Sequence, residues 1–187
     1  MDDDVKAEVM DIGGNGGGGF EYEMVLRAVA FCLTLVAAVV AGVDYQTQTI
    51  PITISDSLAP LTIQVTAKWH YLSSSVFFVV ANSMACCYSF ASLILSMNKK
   101  IKTRLPLPLM ISDLVMVALL FSANGAATAV GVIGLNGNSH TQWQKVCYIF
   151  KRYCHQGAAS IVISFLGSFA FLWLVVFAIL NLHKKSN

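Results

Sequence analysis

The chain has 187 residues, of which 56% are hydrophobic and 12% charged, with a formal net charge of +2. An ordinary soluble domain is about 45–50% apolar and about 25% charged, so this composition excludes one. Neither terminus is a strongly basic arm, so nucleic-acid binding has no support in the sequence. The charges are absent from four runs of 16, 30, 31 and 31 residues, which are 28–43, 69–98, 114–144 and 153–183.

Each of these runs predicts a membrane span. A helix needs about 20 apolar residues to cross the bilayer core, and the first run reaches that length when it is extended past Arg27 to Met24. We therefore predict an all-α membrane protein, a four-transmembrane-helix bundle over residues 24–182. The predicted helices are about 24–43, 71–97, 107–134 and 158–182.

The two ends of the chain are predicted to lie outside this bundle. Residues 1–23 open with acidic side chains and then become rich in glycine, a composition that cannot offset its own ordering entropy, which predicts a disordered tail. An acidic start is also unlike a secretory signal peptide. Residues 183–187 form a short basic tail.

The distribution of Lys and Arg predicts the orientation. The side that holds both termini and the basic cluster Lys99 to Arg104 carries eight of these residues, and the opposite side carries four. Basic residues mark the cytoplasmic side of a membrane, so both termini are predicted to be cytoplasmic.

The first outer loop has the pattern of a β-hairpin. Two runs of alternating polar and β-branched residues, 49–55 and 61–66, flank a polar break that contains Pro60. Two strands alone are marginal in water, so we expect this hairpin to pack on the bundle or on a neighbouring subunit.

Small residues recur every four positions in each predicted helix. In lipid, close packing at such stripes drives helix association, so the four stripes favour a tight bundle or an oligomer contact without distinguishing the two. The stripes are Ala30, Thr34, Ala38 and Gly42; Ala81, Ala85 and Ser89; Ala123, Ala127 and Gly131; and Ser160, Ser164 and Ser168.

Two ionisable residues interrupt the spans at similar depth. Arg27 lies about one turn inside span one, and Asp113 lies about two turns inside span three. An intramembrane charge normally faces a partner or a cavity. A structural ion pair between them is the simplest reading; the alternatives are an Arg27 that snorkels to the cytoplasm and a proton or ion pathway through Asp113.

Cysteines occur in two settings. Cys147 and Cys154 lie in the second outer loop, where an oxidising environment favours an intramolecular disulfide, with an intermolecular bridge and free thiols as alternatives. A continuous helix would hold them about 10 Å apart, so the bridge requires a bend. Cys32, Cys86 and Cys87 lie inside predicted spans and are expected to act as small apolar filler.

Catalytic and metal-binding patterns are missing from the sequence. The four histidines are scattered, and no nucleophile-and-base set occurs at one depth, so we expect neither enzyme activity nor a metal or other cofactor. Trp69, Tyr71 and Tyr148 belong to an interfacial aromatic belt. Trp173 falls deep in span four, where we expect it to pack inside the bundle.

Four groups of residues form a distinctive set along the chain. They are Val25-Leu26-Arg27; Ala67 to Leu72 leading into Val79-Val80-Ala81-Asn82; Ser112-Asp113-Leu114; and Trp143 with Cys147 and Cys154. This set resembles the CASP-like family of plants, relatives of the Casparian strip membrane domain proteins, over about residues 22–182. A wider likeness is to four-span MARVEL-type proteins.

The resemblance implies a multi-pass plasma-membrane protein that forms homo- and hetero-oligomers with related four-span proteins. Members that build the Casparian strip are scaffolds, which assemble an immobile membrane platform and recruit cell-wall enzymes for local lignin deposition. The first outer loop here, Asp44 to His70, lacks the acidic and aromatic-rich signature of those members. The expected function is therefore a general CASP-like scaffold, with membrane lipid, related proteins and cell-wall proteins as partners.

Two other functions remain open from the residues alone. Asp113 and Asn124 are eleven positions apart, close to three helical turns, so they share a face that would line a polar route in a small channel or transporter. A regulatory subunit of a larger membrane complex is the other alternative.

Overall fold

The fold is the predicted bundle of four apolar helices with a small antiparallel sheet. The computed structural model describes residues 18–52, 61–97, 106–137, 140 and 145–186. Within these ranges four helices are long and apolar enough to cross a membrane, which confirms the predicted fold class. They are α1 (Gly18–Gly42), α2 (Ser73–Met97), α3 (Pro106–Asn136) and α4 (Lys151–Ser186).

The helices pack in ring order. Helix α1 packs against α2 and α4, and α3 packs against α4 and less extensively against α2, so α1 and α3 lie on a diagonal. We call the end with the sheet the hairpin end, and the end with Arg27 and Asp113 the charged end. Leu120 and Phe171 are fully buried in a core cluster towards the charged end, and Phe78 belongs to a second cluster towards the hairpin end.

Two helices extend beyond the apolar runs that predict them. Helix α1 begins at Gly18, six residues before the predicted start, and Glu21 in its first turn interacts favourably with the helix dipole. Helix α4 begins at Lys151, seven residues before the predicted start, because its first turns are amphipathic and hydropathy alone does not detect them.

The sheet is a hairpin of β1 (Tyr45–Ile52) and β2 (Leu61–Lys68), followed by a 3-10 turn over Trp69–Tyr71. The strands are antiparallel and pair from Tyr45 with Lys68 to Ile52 with Leu61, so β1 begins four residues earlier than the alternation predicts. The Gln46 Oε1 atom accepts a hydrogen bond of 2.9 Å from the Tyr153 backbone amide. The hairpin is thereby attached to α4, as its marginal stability requires.

Some predicted features lie outside the described residues. They are the acidic and glycine-rich part of the N-terminal tail (1–17), the hairpin tip (53–60), the basic loop (98–105) and Trp143.

Candidate functional site

The structure brings Arg27 and Asp113 together across the diagonal of the bundle. Arg27 Nη2 donates to Asp113 Oδ2 at 3.0 Å, and Nη1 donates to Asp113 Oδ1 at 3.2 Å. The two residues are only 4% and 1% exposed. A two-point contact between a guanidinium and a carboxylate is strong and fixes their relative orientation. The side chain of Arg27 therefore does not snorkel to the helix end.

Three further side chains complete this cluster, and sequence reasoning missed them as partners. Tyr88 donates a hydrogen bond of 2.7 Å to Asp113 Oδ1, and Arg27 Nη1 donates one of 3.0 Å to Ser92 Oγ. Glu23, one turn before Arg27 on α1, accepts a hydrogen bond of 3.3 Å from Arg27 Nε. The only signal in the sequence is the four-residue spacing of Glu23 and Tyr88 from Arg27 and Ser92. The cluster ties α1, α2 and α3 together at the charged end.

A second set of polar contacts lies towards the middle of the bundle. Ser164 Oγ donates to Asn82 Oδ1 at 2.9 Å, which links α4 to α2. Asn124 Nδ2 donates to Ser168 Oγ at 3.1 Å, which links α3 to α4. All four side chains are buried. Interhelical hydrogen bonds of this kind hold helices together in lipid, where water cannot satisfy the same groups.

The four small-residue stripes face the interior of the single chain. In α1, α2 and α4 nearly every member is buried, and in α3 Ala123 is buried while Ala127 and Gly131 are half-buried. A Cβ atom added at Gly167 on α4 would lie 3.3 Å from Thr34 Cγ2 on α1, so these two helices approach closely there. Of the two predicted uses, the stripes serve intramolecular packing.

Another stripe of small residues faces outwards on α3. It consists of Ala118, Ser122, Gly125 and Ala129, all exposed and all within one narrow sector of the helix. A Cβ atom added at Gly125 would meet nothing within 4 Å. Sequence analysis missed this stripe because the buried stripe of α3 runs beside it in the same alanine-rich segment.

At the hairpin end a disulfide joins Cys147 and Cys154, with their Cα atoms 5.6 Å apart. Phe150 leaves the helical conformation, with φ −108° and ψ 58°, between the short helix Val146–Ile149 and α4. This is the bend that a bridge between these positions requires, since a continuous helix would separate them by about 10 Å. Cys32, Cys86 and Cys87 are free thiols.

Asp44 is a buried acidic residue at the hairpin end, between α1 and β1, and is 4% exposed. Burial raises the pKa of its carboxyl group to about 6, and the positive charge of Arg152 opposes part of this rise. No described residue donates a hydrogen bond to the Asp44 side chain. Sequence analysis treated Asp44 only as the boundary of the first outer loop.

The aromatic residues occupy two environments. Tyr71 and Tyr148 are exposed and Trp69 is half-buried, all at the hairpin end, where the aromatic belt is predicted. Trp173 is 49% exposed, so the prediction that it packs inside the bundle is wrong. Phe171 and Leu174 on the same helix point inwards instead, and in lipid an outward Trp173 carries little penalty because its surroundings are apolar.

Comparisons with known proteins agree with these features. The profile of the Casparian strip membrane protein domain matches residues 17–170. This chain belongs to the CASP-like family. It is 52% identical over 171 residues to CASP-like protein 1E1 of Ricinus communis, across 91% of this chain and 88% of that protein. It is 53% identical to CASP-like protein 1E1 of Vitis vinifera, across 90% and 85% of the two chains.

A more distant CASP-like protein 1E1, from Sorghum bicolor, is 46% identical across 87% of this chain and 71% of its own length. No solved structure matches the chain. The matched region of this CASP-like chain contains the Arg27–Asp113 pair, the outward stripe of α3, Asp44 and both bridged cysteines. Within the described residues, no group of three or more His, Cys, Asp or Glu is placed to hold a metal ion.

Proposed function

We propose that this CASP-like protein is a non-enzymatic scaffold that forms homo- and hetero-oligomers with related four-span proteins and organises a domain of the plasma membrane. Both termini are cytoplasmic in this proposal, and the hairpin end faces the cell wall, where it presents the hairpin and the disulfide loop to wall-modifying partners. The oxidising character of the exoplasmic side supports that orientation, because the disulfide lies at the hairpin end.

The observation that carries the proposal is the outward small-residue stripe on α3. The buried stripes already pack the helices of one chain, whereas Ala118, Ser122, Gly125 and Ala129 remain exposed. Helix contacts in lipid depend on close approach at small residues. A second four-span chain that presents a similar face would bring its backbone close to α3 at Gly125, where no atom of the same chain intervenes.

The state of the buried charges favours a scaffold over the channel alternative. Asp113 accepts two hydrogen bonds from Arg27 and one from Tyr88, so its charge is balanced and its oxygens are engaged. A proton or ion route through Asp113 would require this cluster to open. One observation favours the channel: the buried Oδ1 atom of Asn124 has no hydrogen-bond partner among the described residues.

The oligomer is tested by single-molecule photobleaching of fluorescently tagged protein extracted directly into native-lipid nanodiscs. We expect wild-type protein to show several bleaching steps and Gly125→Leu to show mostly one, because the leucine side chain prevents close approach. Val29→Leu, a substitution at an exposed position on α1, is the matched control and should resemble the wild type. Wild-type protein that is monomeric at every density, or Gly125→Leu assemblies of wild-type size, would contradict the proposal.

The channel alternative is tested separately in proteoliposomes. We expect no protein-dependent flux of protons or small cations in a dye-quenching assay. A flux that disappears in Asn124→Leu would favour the channel and count against a purely structural role.

A further inference from the structure

A cavity of about 440 Å³ lies at the hairpin end of the bundle. It is lined by the start of α2, by α3 from Ala127 to Leu135, and by α4 from Tyr153 to Phe165. Its volume falls within the range of small-molecule sites. It coincides with the contact between α2 and α3, which is less extensive than the other three helix contacts of the ring.

The walls of this cavity are apolar and partly formed by glycine. A Cβ atom added at Gly131 on α3 or at Gly157 on α4 would meet nothing within 4 Å, so both positions border open space. The lining also includes Phe78, Ile161 and Phe165. Smooth walls without side chains suit a rigid, flat apolar body, which would lose little conformational entropy on binding.

The length of the cavity corresponds to one leaflet. From Tyr153 to Phe165 the lining extends over twelve residues of α4, which is about 18 Å along the helix. Half of the bilayer hydrocarbon core is about 15 Å thick. An occupant would therefore lie in the leaflet at the hairpin end, with its polar group near the membrane surface.

A single acidic side chain reaches this cavity at its polar end. Asp44 lines it, is more than nine-tenths buried and accepts no hydrogen bond from a described residue. A buried carboxyl group without a partner is costly, and a hydroxyl donor would satisfy it. The same carboxylate repels an anionic phospholipid headgroup. Arg152, the nearby cation, is exposed and does not line the cavity.

We propose that this cavity is a sterol site, in which the fused rings lie between α2, α3 and α4 and the single hydroxyl group donates a hydrogen bond to Asp44. A sterol combines the required properties: a rigid flat body of about one leaflet in length, no charge and one donor. This site does not depend on the scaffold function, because it lies on the inward side of α3 and involves no residue of the outward stripe.

The test uses the full chain in phosphatidylcholine proteoliposomes that contain a trace of a photoreactive, clickable sterol with a free hydroxyl group. Labelled peptides are mapped by mass spectrometry. We expect labelling of α3 around Gly131 and of α4 around Gly157, and competition by unlabelled sterol. The sterol methyl ether, which cannot donate a hydrogen bond, should compete about fivefold less well, as the loss of about 1 kcal/mol predicts.

Matched variants separate the cavity from ordinary lipid contact. Gly131→Leu fills the cavity and should lower labelling to the level that remains under excess unlabelled sterol. Gly125→Leu makes the same change six residues earlier on the same helix, outside the cavity, and should leave labelling unchanged. Gly157→Leu fills the cavity from α4 and serves as a second test if Gly131→Leu unfolds. Asp44→Val should abolish the difference between sterol and methyl ether.

Three outcomes would overturn the proposal. Equal labelling of Gly131→Leu and Gly125→Leu would show annular lipid only. Equally strong labelling of the same peptides by a photoreactive phosphatidylcholine would assign the cavity to acyl chains. Crosslinks from these peptides to a second copy of the chain would assign it to an interface. Because Gly125→Leu tests assembly and Gly131→Leu tests sterol binding, failure of one proposal is distinguishable from failure of the other.

Discussion

At the scale of single residues, Arg27 has the most demanding environment in the bundle. Its guanidinium group lies among apolar helices and is balanced by Asp113 across the diagonal and by Glu23 on its own helix. Removing one member of a buried ion pair leaves the other charge without compensation, which costs far more than the pair contributes as a whole. Asp113 is therefore the residue whose loss should matter most.

We expect Asp113→Asn, which keeps the side-chain size but removes the charge, to lower the free energy of unfolding by about 3–5 kcal/mol. Denaturant unfolding in detergent micelles measures this change, and reduced delivery to the cell surface should accompany it. The control is Glu23→Gln, at a partly exposed position, which should cost less than about 1 kcal/mol. An Asp113→Asn variant that folds and assembles like the wild type would remove the structural role of the pair.

The raised pKa of Asp44 predicts a pH dependence with a definite sign. The folded protein holds this proton up to about pH 6, whereas an unfolded aspartate releases it near pH 3.8. Between these values the folded state binds more protons, so the free energy of unfolding decreases as the pH rises. Melting temperatures recorded from pH 4 to pH 7 should fall more for the wild type than for Asp44→Asn, which does not titrate. Parallel profiles for the two proteins would contradict the assigned pKa.

Not all residues of the charged cluster were predictable from the sequence. Arg27 and Asp113 stand out because charges inside apolar runs require partners. Tyr88 and Ser92 give no comparable signal, since tyrosine and serine also occur on faces exposed to lipid and the rotation of α2 about its axis depends on tertiary packing. Trp173 illustrates the same limit: depth along a span is readable from the sequence, but the face of the helix is not.

At the scale of secondary-structure elements, hydropathy predicted all four long helices but not where two of them begin. An apolar run reports the segment inside lipid, whereas a helix continues for as long as its backbone hydrogen bonds and side-chain contacts favour it. Helix α4 thus begins at Lys151, immediately after the break at Phe150. The hairpin was predictable from its alternation, but its contact with α4 through Gln46 was not, because glutamine alternates with threonine without marking a partner.

The close approach of α1 and α4 is an element-scale feature that one substitution tests. Gly167→Leu would place side-chain atoms against Thr34 and Leu33, so we expect it to separate the two helices and lower the free energy of unfolding by about 1–3 kcal/mol. Gly125→Leu on α3 meets no such obstacle and should not destabilise the monomer. Unfolding of both variants in dilute detergent provides the comparison. Equal stability of the two would mean that α1 and α4 are free to move apart.

At the scale of the whole molecule, the Arg27–Asp113 pair connects the two helices that the ring order places farthest apart. The neighbouring helices are held by small-residue packing and by the contacts of Ser164 with Asn82 and Asn124 with Ser168, which form successive layers between the two ends. Packing of similar stripes does not by itself specify which helices lie on a diagonal. The ion pair does, because each charge has its main counter-charge on the opposite helix.

This argument predicts that removing both charges together is far less harmful than removing one. In the double variant Arg27→Met, Asp113→Leu, the hydroxyl group of Tyr88 still has the Leu109 carbonyl oxygen at 3.1 Å, and that of Ser92 still has the Ser89 carbonyl oxygen at 3.0 Å. No cluster member on α2 is then left without a hydrogen-bond acceptor, and two apolar side chains replace a pair whose desolvation is costly.

We expect the double variant to recover most of the stability that either single variant loses, to within about 1–2 kcal/mol of the wild type. A double-mutant cycle of unfolding free energies measures the recovery, and it should give a coupling energy well above that of the Glu23–Arg27 pair on the exposed side. Hydrogen exchange should nevertheless be faster in α3 of the double variant, since the diagonal is then held by non-specific contacts alone. Additive losses in the cycle would show that Arg27 and Asp113 stabilise the bundle independently and that the ring order has another origin.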